Sequence, residues 1–120
     1  MSHQRLALGR WGEDYAAAYL QRRLFRILAR NFRTRCGEID LIARRGRLLV
    51  FVEVKTRSST NYGLGQEAVT ARKQQQIVRV AHQYLQSHDC DGLNPRFDVI
   101  VVCLEGGQPR LEHLTDAFGV

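Results

Sequence analysis

The chain has no apolar run long enough to cross a bilayer. Its longest aliphatic stretch, Val99 to Leu104, falls far short of the roughly 20 residues that a spanning helix needs. Met1 to Asp14 contains no apolar segment resembling a signal peptide, so the expectation is a soluble, cytoplasmic protein with no membrane contact. Cysteine is scarce and odd in number. Cys36, Cys90 and Cys103 form no C-x-x-C pair, which argues against a disulfide framework or a zinc knuckle and for reduced thiols, with Cys103 in the core. Repeats, low-complexity tracts and linkers are absent. So are a Gly-rich phosphate loop and a G-x-S-x-G setting for Ser58 or Ser59. His3, His82, His88 and His113 are scattered without metal-ligand spacing and read as structural or surface residues.

Lysine is almost missing as well, since sixteen of the eighteen cations are arginine, whose planar fork suits bidentate phosphate contacts. What remains is ordinary globular material. The 120 residues are 44% hydrophobic and 25% charged, which fits one domain spanning 1–120 and excludes a disordered or fibrous chain. The net charge of +6 is uneven: residues 1–60 carry thirteen cations against five acids, residues 61–120 five against seven. A basic first half fits either a polyanionic partner such as nucleic acid or merely a solvated, basic surface.

Helical spacing of Leu8, Trp11, Tyr15, Ala18 and Leu20 predicts a helix over residues 6–22. Alternation predicts a short strand from Phe25 to Asn31, with Arg33–Gly37 as a polar connection. The runs Glu38–Ala43 and Leu48–Lys55, separated by Arg44, Arg45, Gly46 and Arg47, predict an antiparallel hairpin. Ser58 to Gly65 reads as a loop. Thr70 begins a second helix, paved by Ile77, Val80, Ala81, Tyr84 and Leu85 and ending near Gln86, while Arg72, Gln76, Arg79 and Gln83 make its solvated face. Phe97–Leu104 reads as a buried strand and Leu111–Leu114 as a last short one. The order is αβββαββ, a mixed α/β sheet flanked by helices.

The chemistry lies in the hairpin. Strict alternation puts Ile39, Leu41 and Ala43 on the face of Leu48, Val50, Val52 and Val54, and so gathers Glu38, Asp40, Glu53 and Lys55 on the other. The register sets Asp40 opposite either Phe51 or Glu53. Carboxylates crowded in this way repel and need a cation among them; Lys55 is one, and a hard divalent ion, Mg²⁺ or Mn²⁺, is the natural other, while an isolated E-x-K also reads as a solvated strand end with an ordinary Glu53–Lys55 salt bridge.

G-E-I-D-L-I-A at Gly37–Ala43, followed by F-V-E-V-K-T-R at Phe51–Arg57, resembles the D…E-x-K core of the PD-(D/E)XK nuclease superfamily. More closely the chain resembles the YraN-like branch, similar in fold to archaeal Holliday-junction resolvases, with G-E-D at Gly12–Asp14, R-N at Arg30–Asn31, A-V-T at Ala68–Thr70 and Lys73 matching as well. Leu24 stands where the family pattern has a glycine before the first strand. The resemblance implies a restriction-endonuclease-like fold and a metal-dependent endonuclease acting on DNA, on branched or flapped structures. It implies Asp40 and Glu53 as metal ligands, Glu13 reaching the metal or its waters, and Lys55 as the residue that positions the attacking water or stabilises developing charge. The related resolvases suggest a homodimer. Arg30, Arg33, Arg35, Arg44, Arg45, Arg47, Arg57 and Lys73 are the candidates for contacts to the DNA backbone. Glu38 is either a supporting residue beside Asp40 or a solvated charge. Two other readings remain at this point: a non-catalytic nucleic-acid-binding module of the same fold, and an adaptor using the basic surface for an acidic protein.

Overall fold

Changes of hydrophobic period divide the described residues into seven elements. The computed structural model describes residues 3–57 and 69–119, apart from the side chains of residues 3–6, and the expected Ser58–Gly65 loop and Ala68 lie outside the described residues. Helix α1 spans His3–Arg22, followed by strands β1 (Arg26–Thr34), β2 (Gly37–Arg45) and β3 (Leu48–Arg57), helix α2 (Ala71–Ser87), and strands β4 (Asn94–Glu105) and β5 (Gln108–Phe118). The strands form one five-stranded sheet in the order β1-β2-β3-β4-β5. Only β3 and β4 are parallel, because α2 intervenes between them; every other neighbour is antiparallel. Among the described residues no helix is long and apolar enough to cross a membrane.

The sheet lies between the helices. On the α2 side, Ile42, Leu49, Phe51, Phe97, Val99 and Val101 pack against Ile77, Val80, Ala81 and Tyr84. On the α1 side, Leu41, Ala43, Val50, Val52, Ile100 and Val102 pack against Ala16, Ala17 and Leu20. Covering both faces is why β3 and β4 read as nearly continuous apolar runs. Thr70 caps α2 as its sequence suggests, its hydroxyl accepting from the Lys73 N–H at 3.2 Å. The outer face of α2 is less solvated than its composition suggests: Gln76 and Gln83 are half-buried, and the Gln83 amide oxygen is buried without a partner among the described residues.

Three expectations need correction. Strand β1 continues to Thr34, leaving only Arg35 and Cys36 as the turn, and β5 extends from Gln108 to Phe118 because the long β4 offers it a ladder that its polar sequence conceals. The alternation in β1 breaks at Leu28: the register shifts there, so Ile27 faces α1 while Ala29 faces α2. The third correction concerns β2, where Ile39 packs with the α2-side cluster and Leu41 with the α1-side cluster. Two residues that strict alternation places on one face therefore lie on opposite faces, with Asp40 at the slip.

A buried polar knot ties the far edge of the sheet. Asp98, on β4, accepts two hydrogen bonds from Arg96 at 2.8 Å, one from His113 Nε2 at 2.8 Å and one from the Asp116 N–H at 3.0 Å. With His113 donating through Nε2, its Nδ1 accepts the Tyr19 hydroxyl at 2.9 Å and so links β5 to α1. Burial pushes the Asp98 carboxyl up, but these donors more than reverse it and hold it at about 2. His113 is structural, as its isolation in the sequence suggests.

Candidate active site at the strand fork

Strands β2 and β3 pair only from Arg45–Leu48 to Leu41–Val52. Beyond that point β2 continues beside β1, and β3 beside β4. Asp40 and Glu53 are thus the first residues past the fork, in the register that sets them opposite each other. Parting the strands leaves the Val54 N–H without a ladder partner, and the Asp40 carboxylate takes that place, its Oδ2 accepting from Val54 at 2.8 Å.

The slip at Asp40 has its counterpart in β1. Asn31 has φ of 54°, a left-handed conformation that asparagine tolerates better than most residues. This turn sends both Arg30 and Asn31 toward α1, and the chain then returns Phe32, the partner of Ile39, to the α2 side. Both strands slip by one residue together. Their reward is a clamp on Glu13 of α1: its Oε1 accepts from Asn31 Nδ2 at 2.8 Å, Arg30 Nη2 at 3.0 Å and Arg30 Nε at 3.2 Å, and Arg30 also reaches Asp14.

Gly12 brings α1 close enough for this. It is buried against the end of β3, where a Cβ would overlap Thr56 Oγ1 and lie 2.8 Å from Thr56 Cγ2 and 2.9 Å from Thr56 Cβ. No larger residue fits without moving the helix or the threonine.

Between α1 and the fork lies a cavity of about 630 Å³, lined by Glu13, Glu38, Asp40 and Lys55 together with Arg10, Asn31, Arg33 and Thr56. Glu53 stands apart. It is 5% exposed, turns toward α2, and forms ion pairs with Lys55 at 3.6 Å and with Lys73 of α2 at 4.0 Å. The single acidic face expected from alternation is therefore two acidic sets, one on each side of the fork, joined through Asp40 and Lys55. Burial, and after it the Glu53 carboxylate, push the Asp40 carboxyl up to about 8; Glu13 and Glu38 act in the same direction and the Val54 N–H opposes them. A group so far displaced, in a cleft, marks a candidate functional site.

The basic candidates divide by position. Arg33 lines the cavity and donates to Glu38 at 2.7 and 3.0 Å, which gives Glu38 a partner. Arg30 is committed to Glu13 and Asp14. Arg35 lies in the β1–β2 turn, Arg57 at the fork end of β3 with its Nη1 on the Thr56 carbonyl, and Lys73 in the first turn of α2. Arg44, Arg45 and Arg47 lie at the opposite end of the hairpin. Sequence reasoning missed Arg10, Asn31, Gly12 and Thr56 as parts of the site. Arg10 precedes Glu13 by three positions and so shares its face of the helix, a signal that could have found it.

A hard divalent ion fits this donor set. Among the described residues no three histidine, cysteine, aspartate or glutamate side chains meet as a ready-made shell. Magnesium-type sites commonly use one or two carboxylates, completed by water and substrate phosphate. Burial first, and then the neighbouring carboxylates, push the Asp40 carboxyl up, and positive charge added beside it offsets the repulsion among these acids.

The chain is similar to known proteins along most of its length. The model of the uncharacterised protein family UPF0102 matches residues 12–102, which include every residue just named except Arg10. UPF0102 proteins of Syntrophotalea carbinolica (54% identical over 120 residues, 100% of this chain and 98% of the relative), Geobacter sulfurreducens (52% over 118, 98% and 92%) and Rhodococcus opacus (48% over 119, 98% and 100%) are similar along almost their whole length.

Proposed function

The chain belongs to the uncharacterised protein family UPF0102, and on that premise we propose that it is a Mg²⁺- or Mn²⁺-dependent endonuclease hydrolysing DNA phosphodiester bonds in branched or flapped structures. The observation that carries this reading is the fork, where Asp40 and Glu53 stand opposite each other in register, close enough for the Glu53 carboxylate to push the Asp40 carboxyl up, and where Lys55 pairs with Glu53 and lines the cavity that Asp40 and Glu13 also line. Asp40 and Glu53 would hold the ion, with Glu13 touching its waters. When bound, such an ion supplies a Lewis acid for the non-bridging phosphate oxygens.

The chain's own residues account for the rest. The Lys55 ammonium, 3.6 Å from Glu53, would orient the attacking water or meet the negative charge that develops on the non-bridging phosphate oxygens. Asn31 and Arg30 fix Glu13 before substrate arrives, so its orientation needs no rearrangement during the reaction. Arg10 and Arg33, at the cavity wall, offer forks for the flanking phosphates.

A second reading draws on the burial of Glu53 between two lysines: a nucleic-acid-binding module of the same fold that does not cleave. Cleavage of branched, flapped and linear DNA with Mn²⁺, by wild type and Lys55→Met, separates the two. The substitution keeps the aliphatic stem, so folding and DNA binding persist. Cleavage falls by roughly two to three orders of magnitude if the ammonium acts on the transition state. A purified variant that cuts as fast as wild type excludes the role of Lys55, and a wild type that binds but never cuts leaves the binding module.

A further inference from the structure

The end of the sheet remote from the cavity carries six arginines: Arg22 and Arg23 at the end of α1, Arg26 at the start of β1, and Arg44, Arg45 and Arg47 around the β2–β3 turn. The topology gathers them, because Arg26 pairs directly with Arg44 across the β1–β2 ladder and Arg45 donates to the Arg23 carbonyl at 3.0 Å. Among the described residues none of the six forms a salt bridge. Asp89 and Asp91, which share with Arg44 the electrostatic field at Cys90, are the acids beside them. Like charges directly opposite on a sheet destabilise it. Arg22 complements the C-terminal dipole of α1, and Arg45 lies over the Phe25 ring at 4.4 Å, but neither contact explains the Arg26–Arg44 pair.

We propose that this end is a second site for a nucleic-acid backbone, one that anchors a duplex arm away from the cut. Phosphate recognition needs spaced guanidinium groups that no carboxylate neutralises, which the patch supplies although Arg44 donates its Nε to the Gly46 carbonyl at 2.8 Å and Arg45 donates to that of Arg23. A protein partner would call for a contiguous apolar area of several hundred Å², and among the described residues the exposed large hydrophobic side chains here are Leu24, at 81% exposure, and the less exposed Leu28. The spacing of this site from the cut rests on the nuclease reading. Asp40 and Arg45 are separated by five positions along β2, about 17 Å at roughly 3.3 Å per residue, which corresponds to about five base pairs of B-form DNA.

The test compares wild type with Arg26→Gln, Arg44→Gln and the double variant in binding a blunt 20-base-pair duplex in EDTA over a range of salt. The double variant is expected to melt at the wild-type temperature or above it, to bind about tenfold more weakly at low salt, and to show a salt slope shallower by about 2. A folded double variant with unchanged affinity and slope overturns the proposal. So does polyglutamate competing as well as DNA of equal charge, which would make the patch a protein surface. Where wild type cuts, substrates with arms lengthened one base pair at a time should gain cleavage as the arm reaches about five pairs, and no dependence on arm length would refute the spacing. Binding that depends on these arginines without any cleavage would reject the nuclease and leave the anchor.

Discussion

Leu24 sits in a conformation that suits a different residue. At φ of 71° it occupies the position after the end of α1 where a left-handed residue closes the helix: Phe25 N–H reaches the Leu20 carbonyl and Leu24 N–H the Gln21 carbonyl, both at 3.0 Å. The glycine expected there from the family pattern would adopt this shape without strain. Leu24→Gly relieves about 1–2 kcal/mol of left-handed strain and returns part of it as unfolded-chain entropy, for a net gain of about 0.5–1 kcal/mol, or a few degrees in melting temperature. A fall in the thermal melt would show that the exposed leucine side chain stabilises the fold in ways its surroundings do not reveal. At this scale the sequence was informative about identity and silent about partners. Alternation brought Glu38, Asp40, Glu53 and Lys55 to notice, and the resemblance to the PD-(D/E)XK core singled out Asp40, Glu53 and Lys55 among them. The attachment of Glu13 to Asn31 could not, because it depends on one dihedral angle that no hydrophobic pattern encodes.

Helix α1 is positioned by what Gly12 lacks. Alanine is ordinarily worth up to about 1 kcal/mol over glycine inside a helix, yet here its methyl would meet the Thr56 side chain at less than contact distance. Gly12→Ala is therefore expected to lower stability by about 1–3 kcal/mol and, by lifting Glu13 off the fork, to reduce cleavage more than DNA binding. Thr56→Ala in the same chain removes two of the three offending atoms and should restore part of both; a Gly12→Ala protein more stable than wild type would refute the close approach. The elements themselves were largely legible, since both helices, the hairpin and β4 follow from period alone. Their lateral placement was less so. Alternation assumes that a strand never slips, and the matched slips of Asn31 and Asp40 divided an acidic face that a regular sheet would have kept whole.

Across the whole molecule two carboxyl groups set opposite limits on stability in the absence of metal. Asp98, held at about 2 when folded against an ordinary value near 4, contributes stability above about pH 4 that is lost as pH falls through about 2, roughly 2 kcal/mol in all. Asp40 is raised to about 8, so its penalty is absent below about pH 4 and grows as pH rises toward 8, where the unfolded chain is ionised and the folded group is still protonated. Metal-free wild type should then be more stable near pH 4–5 than near pH 8. Asp40→Asn should raise the melting temperature by at least about 5 °C at pH 8 and by little at pH 4. Equal shifts at both values would mean that Asp40 ionises freely. The overall architecture could be read from the order of elements, while the two-ended distribution of arginine could not, because only the pairing of β1 with β2 shows which cations face the cavity and which lie a sheet-length away. The matched slip also limits how this hairpin can change through descent. Removing one residue from β1 alone, or from β2 alone, would leave one strand in step and the other out of step, turning Asp40 away from Val54 or Asn31 away from Glu13; only compensating changes in both strands would keep the two carboxylates where they are.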